Sequence, residues 1–132
     1  MQYRMFGKTG EKVSILGYGC MRFPQRFGMP DEARVEAQIL SAIEAGVNYF
    51  DTAYIYHGGR SETVLGNVLA KGHRDKVLIA DKIHPYMAFS RADMDKILNT
   101  QLERLQTDHI DFYLVHSLMS WEAWAAFRAL GF

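Results

Sequence analysis

The chain has 132 residues, which suits one domain over residues 1–132, and 48% of them are hydrophobic, enough for a sizeable core. Its 15 basic residues balance 15 acidic ones, so no overall field favours nucleic acid or an anionic membrane surface. Cys20 alone cannot form an internal disulfide, Met1-Gln2-Tyr3-Arg4 leads into no apolar signal run, and nothing approaches the roughly 20 apolar residues that span a bilayer. The expectation is a soluble, cytoplasmic domain.

Gln2 to Phe6 and Lys12 to Ile15 flank Gly7-Lys8-Thr9-Gly10-Glu11 and read as a short hairpin. Leu16 to Met21 follows as a first buried strand, with Cys20 as a small core residue. Asp31 to Ala45 reads as a helix: Val35, Ile39, Ala42 and Ile43 fall on one face, Asp31 complements its positive end, and Gly46 stops it. Val47 to Asp51 is the second strand. Ser61 is expected to cap the next helix, with Glu62 in its first turn, Val64, Leu65, Val68 and Leu69 on its face, and Gly72 as its stop. Val77 to Ile83 is the third strand. Ser90 with Asp93 resembles a capping box for a helix whose stripe is Met94, Ile97, Leu98, Leu102 and Leu105. Ile110 to His116 is the fourth strand, and Trp121 to Leu130 a short last helix.

Strand-helix alternation with near-continuous apolar strands implies a parallel sheet with right-handed crossovers. Two parallel architectures compete. A doubly wound dinucleotide-binding sheet carries G-x-G-x-x-G at a helix start. Here Gly17-Tyr18-Gly19 is followed by Cys20-Met21-Arg22 and lies inside a strand, so it reads as close packing. A (β/α) barrel instead gathers reactive groups at the C-terminal ends of its strands, and Asp51, Lys82 and His116 lie there with Tyr56 just beyond. The expected fold is α/β: a partial (β/α)8 TIM barrel, an N-terminal hairpin plus about four βα units.

The four residues form a chemical set. Reducing an aldehyde or ketone needs a hydride donor, which no side chain supplies, and a proton for the developing alkoxide. A tyrosine can give that proton, and a neighbouring ammonium such as Lys82 favours the phenolate left behind. Asp51 would hold Lys82, and His116 could hydrogen-bond the carbonyl oxygen. Each residue also has an ordinary role: a loop cap for Asp51, a snorkelling amine for Lys82, a core imidazole for His116. By residue type, Tyr54 is as good a proton donor as Tyr56. The remaining histidines, His57, His73, His84 and His109, show no metal-ligand spacing and read as loop or surface residues.

Several stretches together resemble the N-terminal half of an aldo-keto reductase, over nearly the whole chain from Tyr3 to about Leu130. They are Tyr3-Arg4 with Phe6-Gly7-Lys8-Thr9-Gly10, Leu16-Gly17-Tyr18-Gly19, Asn48-Tyr49-Phe50-Asp51-Thr52-Ala53-Tyr54-Ile55-Tyr56, Ser61-Glu62 with Leu65-Gly66, and Ile110-Asp111-Phe112-Tyr113-Leu114-Val115-His116. The resemblance implies a catalytic tetrad of Asp51, Tyr56, Lys82 and His116, and it selects Tyr56 over Tyr54 as general acid. It implies NADPH as cofactor and a small-molecule carbonyl substrate. Its nicotinamide end would approach Gly17, Tyr18, Gly19, Asp51 and Lys82, with Gly19 and Asp51 the cofactor-binding candidates. Gly19-Cys20-Met21-Arg22 and Tyr56-His57-Gly58-Gly59 are similar to a branch with a C-terminal iron-sulfur segment. That segment's cysteines are absent, so neither a cluster nor any other metal is expected.

A full barrel takes roughly 200 or more residues. The expectation is therefore a truncated reductase, with the acid-base residues present, most of the cofactor grip missing and little activity alone. The alternative is a non-catalytic half-barrel that acts as an assembly module. Either way, the open edges at Leu16 to Met21 and Ile110 to His116 are expected to drive self-association.

Overall fold

A computed structural model describes residues 1–132. It opens with the expected hairpin, β1 (Tyr3–Met5) antiparallel to β2 (Lys12–Ser14). Asn48 clamps this hairpin to the sheet: its side-chain oxygen accepts the Ser14 N–H at 2.7 Å, and its amide nitrogen donates to the Lys12 carbonyl at 2.9 Å. Phe6 lies beside Tyr49 and Phe112, ring centroids 6.0 and 4.6 Å away, and covers one end of the sheet's face.

The first parallel strand, β3 (Tyr18–Gly19), is far shorter than Leu16 to Met21. Cys20–Arg22 coils into a 3-10 turn that ends the ladder, and Leu16 stays exposed while Cys20 is buried. A second hairpin follows that the sequence reading lacks, β4 (Gln25–Arg26) with β5 (Met29–Pro30). Its two central residues, Phe27 and Gly28, both take positive φ, 53° and 78°. Such hairpin turns favour Asn-Gly or Asp-Gly, and a phenylalanine at the first position hides the signal.

Helix α1 (Glu32–Glu44) starts at Asp31, whose carboxylate accepts the Arg34 N–H at 3.3 Å, and buries Val35 and Ile39. After β6 (Tyr49–Asp51) comes α2 (Arg60–Leu69). Ser61 is not its cap. The helix begins directly after left-handed Gly59, and Ser61 lies within its first turn. The Ser61 hydroxyl instead donates to the Cys20 carbonyl at 3.1 Å and accepts from Thr52 at 2.9 Å. Next come β7 (Leu78–Ile83) and α3 (Arg91–Leu105). Ser90 caps α3 as expected, accepting the Asp93 N–H at 3.2 Å. Bonds from the Ser90 hydroxyl and the Phe89 N–H hold the Asp93 carboxyl below its ordinary range. The chain closes with β8 (Phe112–Val115) and α4 (Trp121–Ala129).

The parallel sheet runs β3-β6-β7-β8, in chain order, with all three neighbour pairs parallel. Its two edges, β3 and β8, have no further strand. Side chains alternate across a strand, and one set packs under the helices. Phe50 and Ile79 share a 13-residue core with Val35 and Ile39 of α1, Val64, Leu65, Val68 and Leu69 of α2, and Leu105 of α3. Ile83 joins Met94, Ile97 and Phe127 of α3 and α4 in a smaller one. Truncating a core side chain such as Leu65 to alanine costs about 2–5 kcal/mol. Helices on one face and strands in sequential order make this a wall of a barrel, not a doubly wound sheet. The sequence pattern suggests that Phe50, Ile79 and Phe112 or Tyr113 point inward, away from the helices; for Phe50 and Ile79 the structure reverses this, because the helices pack on that parity. Phe50 and Ile79 lie against them, and the other face carries Tyr49, Asp51, Lys82, Phe112 and Leu114. No helix is long and apolar enough to cross a membrane.

Candidate active site

The ladder delivers the four reactive residues to one rim. Asp51 ends β6, Lys82 stands one residue before the end of β7, and His116 follows β8, its N–H donating to the Ile83 carbonyl at 2.8 Å. Tyr56 opens the turn after β6. Lys82 Nζ donates to Asp51 Oδ1 at 2.6 Å and to the Thr52 carbonyl at 2.5 Å. The same ammonium stands 5.0 Å from the centroid of the Tyr56 ring. That ring meets His116 edge to face, centroids 5.5 Å apart at 86°. Tyr54 is turned away, its ring under the Arg104 guanidinium at 4.6 Å. The structure thus brings Asp51, Tyr56, Lys82 and His116 together.

His116 is a special imidazole. Its Nδ1 is buried without a hydrogen-bond partner. Burial, then the Lys82 and His84 charges, hold its pKa below the ordinary histidine value, with Asp51 opposing. Near neutral pH it is therefore an uncharged ring that can donate or accept one hydrogen bond. His84 lies in the loop after β7, as expected, and its ring centroid comes within 5.5 Å of that of His116. His57 is half-buried and stacks on Phe23. His109 bonds exposed Asp108 at 2.6 Å. No group of three or more His, Cys, Asp or Glu side chains comes together as a metal site. Burial pushes the Cys20 thiol well up, which makes it inert.

Behind the rim, on the helix side, lies a polar cluster that the sequence reading lacks. Glu62, Asp81 and Gln101 are fully buried. Arg104 donates to Glu62 at 2.7 Å and to the Tyr54 carbonyl at 3.3 Å. The Gln101 amide donates to Glu62 at 3.1 Å and to the Lys82 carbonyl at 3.2 Å, and accepts from the Tyr113 hydroxyl at 2.6 Å. Asp81 Oδ1 accepts the Lys82 N–H at 2.7 Å. Burial and the Glu62 carboxylate push the Asp81 carboxyl up to about 8. A signal for Gln101 was present: it sits four residues from both Ile97 and Leu105, on the apolar stripe of α3. Arg74 does similar work at the other end of the sheet, pairing with Asp111 at 2.8 Å while Asp111 accepts the Ile79 N–H at 2.8 Å.

Gly19 pairs in register with Asp51 across β3 and β6. It is exposed, and a Cβ there would meet nothing within 4 Å. Gly17 is the closely packed glycine of the pair, since its Cβ would lie 3.2 Å from Tyr49.

Residues 15–130 match the Aldo/keto reductase family. The chain is 36% identical over 135 residues to "Protein tas" of Escherichia coli, an alignment that takes in 88% of this chain and 38% of that protein. The holo form of a Bacillus halodurans aldo-keto reductase superposes with a TM-score of 0.76 at 32% identity, over 87% of this chain and 40% of the other. A Klebsiella pneumoniae aldo-keto reductase in complex with NADPH gives a TM-score of 0.72 at 31% identity, over 81% and 36% of the two chains. The chain therefore spans 36–40% of the length of these three proteins.

Proposed function

The chain belongs to the aldo/keto reductase family, and we propose that its rim is the acid-base half of an NADP(H)-dependent reductase of aldehydes or ketones. The observation that carries this is the Lys82 ammonium, bonded to Asp51 at 2.6 Å and lying 5.0 Å from the Tyr56 ring. Tyr56 is the general acid, passing its hydroxyl proton to the carbonyl oxygen as negative charge develops there. Lys82 stabilises the phenolate that remains. Asp51 and the Thr52 carbonyl take two of the three ammonium hydrogens, which fixes the amine in place. His116, uncharged, directs one hydrogen bond at the substrate oxygen and orients it.

A reduced nicotinamide, when bound, supplies the hydride. The residues present fit one end of such a group: at exposed Gly19 no side chain blocks the backbone beside Asp51, and Cβ space there is free. The NADPH bound by the Klebsiella pneumoniae reductase supports the phosphorylated form of the cofactor. Gly19 and Asp51 alone are a weak grip, so these 132 residues by themselves are expected to reduce little. A cytoplasmic location fits the single buried thiol, which a reducing compartment preserves.

The test is a chimera in which residues 1–130 replace the matching part of the Bacillus halodurans reductase. The reading expects aldehyde-dependent NADPH oxidation that falls about 10²- to 10⁴-fold in Tyr56→Phe. A folded, active chimera indifferent to Tyr56→Phe would refute it.

A further inference from the structure

Tyr56 is held at the rim by ring contacts with Lys82 and His116, so its place depends on the backbone turn that presents it. That turn is unusual. His57, Gly58 and Gly59 take successive positive φ values of 52°, 65° and 88°. Glycine does this freely, but a histidine pays about 1 kcal/mol or more in strain and persists there only when its surroundings hold it. The His57 ring is held on three sides. It stacks on the buried Phe23 ring at 5.3 Å and 11°. Its Nε2 accepts the Phe23 N–H at 3.2 Å. Its Nδ1 faces the Gln25 side-chain amide at 3.2 Å.

A ring nitrogen that accepts a backbone N–H carries no proton of its own, so the proton of the neutral ring must sit on Nδ1. The Gln25 amide, whose nitrogen lies 3.2 Å from Nδ1, is then assigned the opposite orientation, with its oxygen accepting the Nδ1 proton. These contacts fasten the turn after β6 to the segment after β3, its neighbour in the sheet.

We propose that His57 is a positioning residue for Tyr56: in its Nδ1–H tautomer it accepts the Phe23 N–H through Nε2 and so pins the turn that aims the Tyr56 ring between Lys82 and His116. The proposal rests on the reading of Tyr56 as proton donor, and it accounts for the strain at residue 57.

The test uses the full 132-residue chain labelled with nitrogen-15 in its histidines. Long-range proton–nitrogen correlation spectra at pH 8 are expected to show His57 Nδ1 protonated and Nε2 bare. Two further readouts follow Tyr56: ring-to-ring nuclear Overhauser contacts between Tyr56 and His116, and the titration midpoint of His116. His57→Phe keeps the stack and removes the acceptor. It should weaken the Tyr56–His116 contacts at least threefold and move the His116 midpoint up toward 6.5, because water then reaches that ring. His57→Gln, which restores an acceptor at similar reach, should keep both near the parent values. If His57→Phe does not fold, His57→Asn tolerates the left-handed backbone and is too short to reach Phe23, and it should behave as His57→Phe is expected to. A purely structural role would lower stability and leave the His116 midpoint and the contacts in place. That outcome, or a protonated Nε2, would overturn the proposal. None of these readouts needs turnover, so a failed tautomer assignment leaves the Tyr56 chemistry standing. A chimera indifferent to Tyr56→Phe would leave the His57 geometry standing.

Discussion

Asp81→Asn should stabilise the chain at neutral and alkaline pH and leave it nearly unchanged in acid. Asp81 is fully buried, its Oδ2 has no hydrogen-bond partner, and the Glu62 carboxylate opposes a second negative charge beside it. Burial first, then Glu62, raise its pKa from 3.8 to about 8 on folding. The folded state therefore binds a proton that the unfolded state has released. Stability from this group is fully present below about pH 4 and drains away as pH rises through about 8, by about 1.4 kcal/mol per unit. At pH 7, roughly three units above the unfolded value, the accumulated loss is at most about 4 kcal/mol. Asparagine does not titrate, keeps an oxygen for the Lys82 N–H at 2.7 Å, and turns an NH₂ donor toward the side on which Oδ2 has no partner. Urea unfolding followed by circular dichroism at pH 4.5, 7 and 8.5 measures the difference. With a slope of about 1–3 kcal/mol/M, a gain of only 1–2 kcal/mol moves the midpoint by about 0.3–2 M. The gain should shrink steadily toward pH 4.5. An equal midpoint at every pH, or a less stable variant at pH 8.5, would refute the raised pKa assigned to Asp81.

Gly66→Ala should destabilise by about 1–3 kcal/mol, after a small gain in helix propensity, because its Cβ would lie 2.8 Å from Leu105 Cα where α2 meets α3; thermal melts measure it, and a neutral effect would mean that the helices part easily. The unassisted 132 residues should oxidise NADPH with an aldehyde at close to background rate; robust oxidation lost in Tyr56→Phe would show that the pocket is rebuilt some other way. The chain should self-associate through its open β8 edge, where Leu114, Leu118, Trp121, Trp124 and Phe132 line an apolar hollow and Trp121 is 81% exposed. Light scattering of a monodisperse 15.1 kDa monomer at high concentration would contradict this.

The alternation of strand and helix, the order of the sheet and the position of Asp51, Lys82 and His116 at strand ends were legible because each depends on local periodicity and on glycine or polar stops close in the chain. Ser90 capped α3 as read, since a cap needs only its own next three residues. Residue chemistry left Tyr54 and Tyr56 equal, and the family pattern chose between them. What the sequence could not carry is phase. Alternation divides β6 into Phe50 and its neighbours Tyr49 and Asp51, but only the packed helices decide that Phe50 goes under them and Asp51 toward the open face. The short β3 was hidden for a related reason: apolar Leu16 looks like core, but no wall stands over it. Ser61 was misread as a cap, and the contacts of Glu62, Gln101 and His57 were passed over, because a polar residue reads as surface until partners arrive from 32 to 42 residues away. Glu62 is buried only because Gln101 and Arg104 come to it, at sequence separations of 39 and 42. A buried polar group without partners is costly, so such residues become core only when the tertiary fold supplies the other half of each bond.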